Sequence, residues 1–385
     1  MANTILTVQE IAREALFRLE SNMVMAGLVY QDYSGDFQKK GDTIQVKKPA
    51  VFIADDFTST ITPQAITEDK VLVTLDKIAD VSVEITSKEM SLNINDFGFQ
   101  VLDGATLAIA EKIDAELCGL AKDIPYWHGT AGTTPNTLAH IAGAMKVLNV
   151  NKCPMANRSS VWDPEAQASL LVLDAIAGAD KSGSTDALRR ASMGVLMNFD
   201  NYMDQNIKTH TAGGYTSLAD VTATVNITNN AKDPVTNRSY SVAALTSAAG
   251  AATTSLLKGD LLTIDGKQYT VLASTANAVS GVIASVKVVP ALATNVTAKA
   301  VVFTDVTARA HVDNLAFHRN AFALVSRPME PPMGGATSYT AVSPTGLSLR
   351  VTMGYTMGSK VNTMSIDYLY GLRSIYPELA CRVLG

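Results

Sequence analysis

Leu102, Ala105, Ile109, Ile113, Leu117 and Leu120 recur at steps of three and four. That spacing predicts one long helix over residues 95–124 with a single apolar face. Asp103, Lys112, Asp114, Glu116 and Lys122 fall mainly between the apolar positions. Asn95 or Asp96 can cap the first turn, and Pro125 ends the helix by excluding its predecessor from the α region. At about 1.5 Å per residue the helix would span roughly 40 Å. Alone it reads as an ordinary amphipathic core helix; within strand-rich sequence it suggests a spine laid across a sheet.

Upstream, Ile11, Ala15, Leu16 and Leu19 mark an amphipathic helix over 7–22, opened by a Thr7/Glu10 capping box. Residues 36–51 and 70–86 then alternate with a period of two, the second through Val71, Val73, Leu75, Ile78, Val81, Val83 and Ile85. Between them 54–67 is polar and irregular. This predicts a long β-hairpin with exposed edges, either covered by another chain or folded back on its parent domain.

Downstream, helices are expected over 137–150 and 164–179, the latter with Asp163 as cap and Pro164 in the first turn. Ser159 to Trp162 reads as a short buried strand between them, giving a mixed α/β unit. Residues 185–197 continue as helix or polar loop. The composition then shifts. No Met occurs from 204 to 328 and no Glu from 166 to 329. Val221, Ala223, Val225 and Ile227 alternate with polar partners, and 261–272 reads as strand, Asp265-Gly266 turn, strand. With strand candidates at 282–289 and 298–303, roughly 218–306 is expected to be an all-β sandwich or small barrel. Strands at 346–355, 362–370 and 371–383 would close the main sheets. The fold class is α+β.

Composition narrows the function. The charged fraction is 17% of 385 residues, below the roughly 25% usual for globular chains, so much of the surface is neutral and suited to packing against protein. The net charge of −5 offers no basic footprint for nucleic acid. Cys118, Cys153 and Cys381 are odd in number and far apart, which suits a reducing compartment. Neither a signal peptide nor a membrane span is evident, which points to a soluble intracellular product.

Candidate chemistry is sparse. His311 and His318 are seven apart and could share a helix face, yet no acid stands at a ligand spacing, so a structural or surface role is expected. Residues 259–267 resemble a phosphate loop only loosely; the glycine spacing is too long and Gln268 replaces the magnesium-binding hydroxyl. No catalytic, cofactor or metal residue is assigned, and no enzyme is expected.

Residues 256–266 (LLKGDLLTIDG), 314–328 (NLAFHRNAFALVSRP) and 365–379 (SIDYLYGLRSIYPEL) carry a likeness to a known family. With the order of parts, the chain resembles the tailed-bacteriophage major capsid proteins of the Hong Kong 97-type fold, in the P-twenty-two-like coat branch of short-tailed phages with an inserted β-domain. The resemblance implies an N-terminal arm at 1–30, an extended hairpin loop with peripheral strands at 31–91, a spine helix at 92–125, an axial α/β domain at 126–217, the insertion at 218–306 and a return to both main domains at 307–385. It implies self-assembly through hexamers and pentamers into an icosahedral virion head, built in the host cytoplasm around double-stranded DNA that is not read for sequence. Partners would be a scaffolding protein, a portal protein and an optional decoration protein, with no membrane and no cofactor. Intersubunit contacts are expected from Asp55, Asp56 and Phe57 at the hairpin tip and from Lys232, Asp233 and Arg238 in an insertion loop. Gly98 and Gly104, each costing about 1 kcal/mol in a helix interior, would permit a bend near the start of the spine. The alternatives are a phage or bacterial surface or sheath component and, less favoured, an α/β enzyme.

Overall fold

A computed structural model describes residues 8–31, 43–48, 69–86, 94–183, 185–218, 220–248, 254–304, 309–332, 336–343, 346–358 and 361–385. The chain opens with helix α1 (Val8–Asn22) and the single turn α2 (Met25–Leu28). α1 buries Ala12, Ala15, Leu16 and Leu19, the stripe its spacing dictates. Strands β1 (Thr43–Lys47) and β2 (Lys70–Thr74) pair antiparallel as the base of the hairpin. Their inner residues Val46, Val71 and Val73 pack on Ala323, Val325 and Ile375, so the base is rooted in its own chain.

The alternating run 70–86 is not one strand. It breaks after Thr74, and β3 (Lys77–Thr86) leaves the hairpin for another sheet. Both pieces keep period two, so alternation alone does not reveal the change of partner. Helix α3 (Ile94–Cys118) is the next described element and tightens into a 3-10 stretch, Gly119–Asp123. Leu102, Ala105, Ile109, Ile113 and Leu117 are buried against α1, α2 and the neighbouring strands. The helix passes through Gly98 and Gly104 without a break.

Next come β4 (Trp127–His128), α4 (Leu138–Val150), β5 (Arg158–Trp162) and α5 (Pro164–Leu171). The Asp163 carboxylate accepts from the Glu165 amide at 3.2 Å, but α5 stops at Leu171 and short helical turns replace its expected continuation. Strands β6 (Val195–Leu196), β7 (Phe199–Met203) and β8 (Thr209–Thr211) complete this part.

Strands β9 (Val221–Val225), β10 (Ala231–Lys232), β11 (Ser239–Ser247), β12 (Leu261–Ile264), β13 (Lys267–Val271), β14 (Val282–Val289) and β15 (Val296–Phe303) form an all-β unit. Hydrogen bonding runs β11-β14-β13-β12-β15-β9, and β9 returns to β11. The ring is therefore a closed barrel, which removes the edges an open sheet of this length would expose. Its interior is Val221, Ala223, Leu245, Ile264, Val271, Val286 and Phe303 with their neighbours. Asp265 and Gly266 take positive φ (51° and 76°), the geometry of a tight hairpin turn.

The chain returns through β16 (Ala310–His318), β17 (Phe322–Ser326), β18 (Thr337–Val342), β19 (Ser348–Thr356), β20 (Val361–Ser374) and β21 (Ala380–Leu384). One mixed sheet runs β4-β21-β16-β5-β7-β6, and the other is built on β20, which pairs with β19, β17 and β3. α4 and α5 cover the first sheet; α1 and α3 cover the second.

Candidate functional site: the seam between barrel and body

The barrel is joined to the body by two adjacent strands. β8 leads in and β16 leads out, and they pair antiparallel with His210 opposite His311. Both histidines are buried, their rings edge-on at 5.3 Å. His311 and His318 thus lie on a strand rather than a helix, and His318 instead accepts from the Asn320 amide at 3.2 Å.

Two buried carboxylates flank the pair. Asp260 lies 3.2 Å from His210 Nε2 and accepts from the Gly213 and Leu257 amides at 3.1 and 2.8 Å. Asp313 lies 3.4 Å from His311 Nε2 and takes both arms of Arg382, at 3.0 and 2.5 Å. The same guanidinium donates to the Gly259 carbonyl at 2.8 Å. Burial alone would raise the Asp313 pKa, but Arg382 and His311 hold it well below the usual carboxylate range. Such fork-to-fork pairing fixes orientation as well as energy. One arginine from the last strand thereby joins the body to the barrel.

A second contact lies at the end of the spine. Arg238 is buried and donates to the Asp123 carbonyl at 2.5 Å and to the Ser374 hydroxyl at 2.8 Å. Lys258 pairs with the Asp123 carboxylate at 2.7 Å. Gly259 has φ of +97°, and a Cβ there would meet the Lys122 side chain at 2.9 Å, so only glycine allows this close approach.

The third contact is with the hairpin. Lys232 Nζ and Asn237 Nδ2 both reach Asp69 Oδ1, at 2.6 and 3.0 Å, and the Leu72 amide donates to the Val235 carbonyl at 3.0 Å. Asp233 shapes the connecting turn, accepting from the Thr236 amide at 2.9 Å. Burial opposes its ionisation, yet the Thr236 hydrogen bonds lower its pKa overall.

Of the residues expected at intersubunit contacts, Lys232, Asp233 and Arg238 thus come together against the chain's own hairpin and spine. Arg238 is turned inward, because its guanidinium finds carbonyl and hydroxyl acceptors there. Asp55, Asp56 and Phe57 lie outside the described residues. Asp260, Asp313 and Arg382 were not legible as a site: the partners that join them lie tens of residues away, and the shared signal was only a charge in or beside an otherwise buried strand.

The more exposed apolar side chains include two at the N-terminal helix and its neighbouring strand. Phe17 (69% exposed) and Val342 (52%) border an open cavity of about 290 Å³ with Arg13, Leu16, Glu20 and Tyr339. Among the described residues no group of three His, Cys, Asp or Glu is placed to hold a metal ion, and no helix is long and apolar enough to cross a membrane.

No family model and no curated protein matches the chain. Solved structures do. A chain from Mycobacterium phage Che8 aligns over 94% of this chain and 90% of its own, at 13% identity and a TM-score of 0.53. The capsid structure of Cyanophage P-SCSP1u aligns over 89% and 83%, at 12% identity and a TM-score of 0.46. The mature capsid of bacteriophage PhiM1 aligns over 90% and 82%, at 10% identity and a TM-score of 0.45. At 13% identity the likeness to the Che8 chain is one of fold.

Proposed function

We propose that the chain is the major capsid protein of a tailed bacteriophage, self-assembling into an icosahedral head around double-stranded DNA. The observation that carries this reading is the fold shared almost end to end with a phage chain. The order of arm, hairpin, spine helix, barrel and closing strands supports it, as does the resemblance to the P-twenty-two-like coats. No enzymatic activity is assigned.

In this reading the hairpin base is rooted in its own subunit, and the tip with Asp55, Asp56 and Phe57 reaches a neighbour. Many weak repeated contacts of that kind stabilise a shell where a single one would not. Lys232, Asp233 and Arg238 set the angle at which hairpin and barrel leave the body. A net charge of −5 suits a wall that must not hold DNA by its phosphates. A scaffolding protein, a portal at one vertex and an optional decoration protein would complete the head. Electron microscopy of the purified chain, with and without its scaffolding partner, tests the reading. Closed or spiral shells are expected; a monomer under every assembly condition overturns it, and helical tubes would point to a sheath component instead.

A further inference from the structure

The sheet built on β20 has two outer strands that are finished differently. β3 carries Lys77, Asp80 and Glu84, charges of the kind that keep a strand edge from pairing. β18 carries none in its six residues, TSYTAV. It pairs with β19 along its whole length, and among the described residues no strand lies on its other side. An uncharged edge rich in β-forming residues is a template for one more strand.

The space beside that edge is shaped. α1 packs over β18 and β19. Its stripe Arg13, Phe17 and Glu20, at helical steps of four and three, borders the open cavity together with Tyr339 and Val342. Glu14, one position along from Arg13, is engaged by Arg18 of the same helix at 2.9 Å. Thr340 lies on the opposite face of β18 and donates to the Met329 carbonyl at 3.2 Å, so the chain's own loop covers that face there.

We infer that this edge binds a second copy of the chain, β18 against β18 about a two-fold axis, with the two α1 helices side by side over the joint. The charge pattern selects that partner. A two-fold contact sets a surface against a copy of itself, so an uncharged strand meets its mate without repulsion. The opposite charges on α1 are exchanged: Arg13 of each copy faces Glu20 of the other, and Phe17 falls near the axis. The spacing agrees. Hydrogen-bonded strands lie about 4.8 Å apart, so an α1 seated over β18 and β19 stands about 10 Å from its mate, the distance of packed helices. The inference rests on the reading that copies of this chain assemble, and it names one contact by which they do so.

Cross-linking of the full-length chain tests it. Phe17→Cys places an accessible thiol near the axis, while Cys118, Cys153 and Cys381 are buried. A short bismaleimide should join two copies through position 17, read as a covalent dimer on a denaturing gel. It should not join copies of Val302→Cys, whose thiol stands exposed on the barrel. In the Phe17→Cys background, Arg13→Glu or Glu20→Arg alone sets like charges together on both sides of the axis. Each should lower the dimer yield at limiting concentration about tenfold, and the two combined should restore it. No dimer through position 17, equal dimer through position 302, single reversals without effect, or a double reversal without recovery would each overturn the inference. The cross-link is read on the dispersed chain and on any particles it forms. Shells that lack it overturn this contact alone; a cross-linked dimer that never closes into shells overturns the capsid reading alone.

Discussion

His210 lies directly opposite His311 in the antiparallel pairing of β8 with β16, with the two rings 5.3 Å apart. The two strands that carry the chain into and out of the barrel are thereby locked side by side, and the Asp313–Arg382 pair seals them from below. Removing one partner of a buried ion pair leaves a bare charge. Arg382→Ala is expected to cost about 3–5 kcal/mol, whereas an Asp313→Leu/Arg382→Met double variant should lose much less. Thermal unfolding of the three chains checks this ordering.

The depressed Asp313 pKa has a defined sign. Its ionised form is favoured in the folded chain, so its contribution is complete above the ordinary carboxylate value of about 4 and is lost only as pH falls through the lower folded value. The seam should therefore survive acidification to about pH 4 that protonates ordinary carboxylates. Far-ultraviolet circular dichroism against pH should show Asp313→Asn losing structure earlier on the acid side than the parent.

Arg238 and Lys232 both fasten the barrel, and they should differ in weight. Arg238→Ala removes buried hydrogen bonds from a charged group, worth about 1.5–3 kcal/mol each. Lys232→Ala breaks an exposed pair with Asp69, worth about 1 kcal/mol or less. Denaturant titration measures the difference; proteolysis at the hairpin base, where Lys232 holds Asp69, should accelerate mainly in Lys232→Ala.

The barrel should fold alone if it is cut in the right place. A fragment beginning at 218 would lack Tyr215, which is fully buried in the barrel interior and donates to the Gly281 carbonyl at 2.8 Å. A fragment of residues 213–306 is expected to unfold cooperatively and to exceed the 218–306 fragment by about 3 kcal/mol, the scale of deleting a buried aromatic. Calorimetry of both fragments settles the point.

Gly104 faces open space, and no atom beyond its own stretch of helix lies within 4 Å of where its Cβ would be. Gly104→Ala should therefore stabilise α3 by up to about 1 kcal/mol. If the glycine serves curvature in the proposed shell, the same variant should assemble less uniformly, which particle size distributions by electron microscopy would reveal.

What was legible in the sequence follows the reach of each signal. The spine helix and strands β9, β12, β13, β14 and β15 were readable because period 3.6 and period 2 are written within a few residues, whereas no strand was expected at β10 or β11. Closure of the barrel was not, since it depends on β9 meeting both β11 and β15. The break between β2 and β3 carries no glycine or proline, so the 70–86 run gave no sign that its second half pairs with β20. Arg238 was legible as a charge in a loop but not as an inward-facing one, because its acceptors at Asp123 and Ser374 lie more than a hundred residues away.

The paired strands β8 and β16 also make the barrel a removable part. Hydrogen-bonded strands lie about 5 Å apart, so the body presents two neighbouring chain ends to whatever lies between them. Any domain whose own termini sit that close can be spliced there without straining the sheet that supports it. A replacement for the barrel would have to supply acceptors for Arg382 and His210 where Gly259 and Asp260 now stand, and partners for Asp69, Asp123 and the Leu72 amide where Lys232, Lys258 and Val235 now stand.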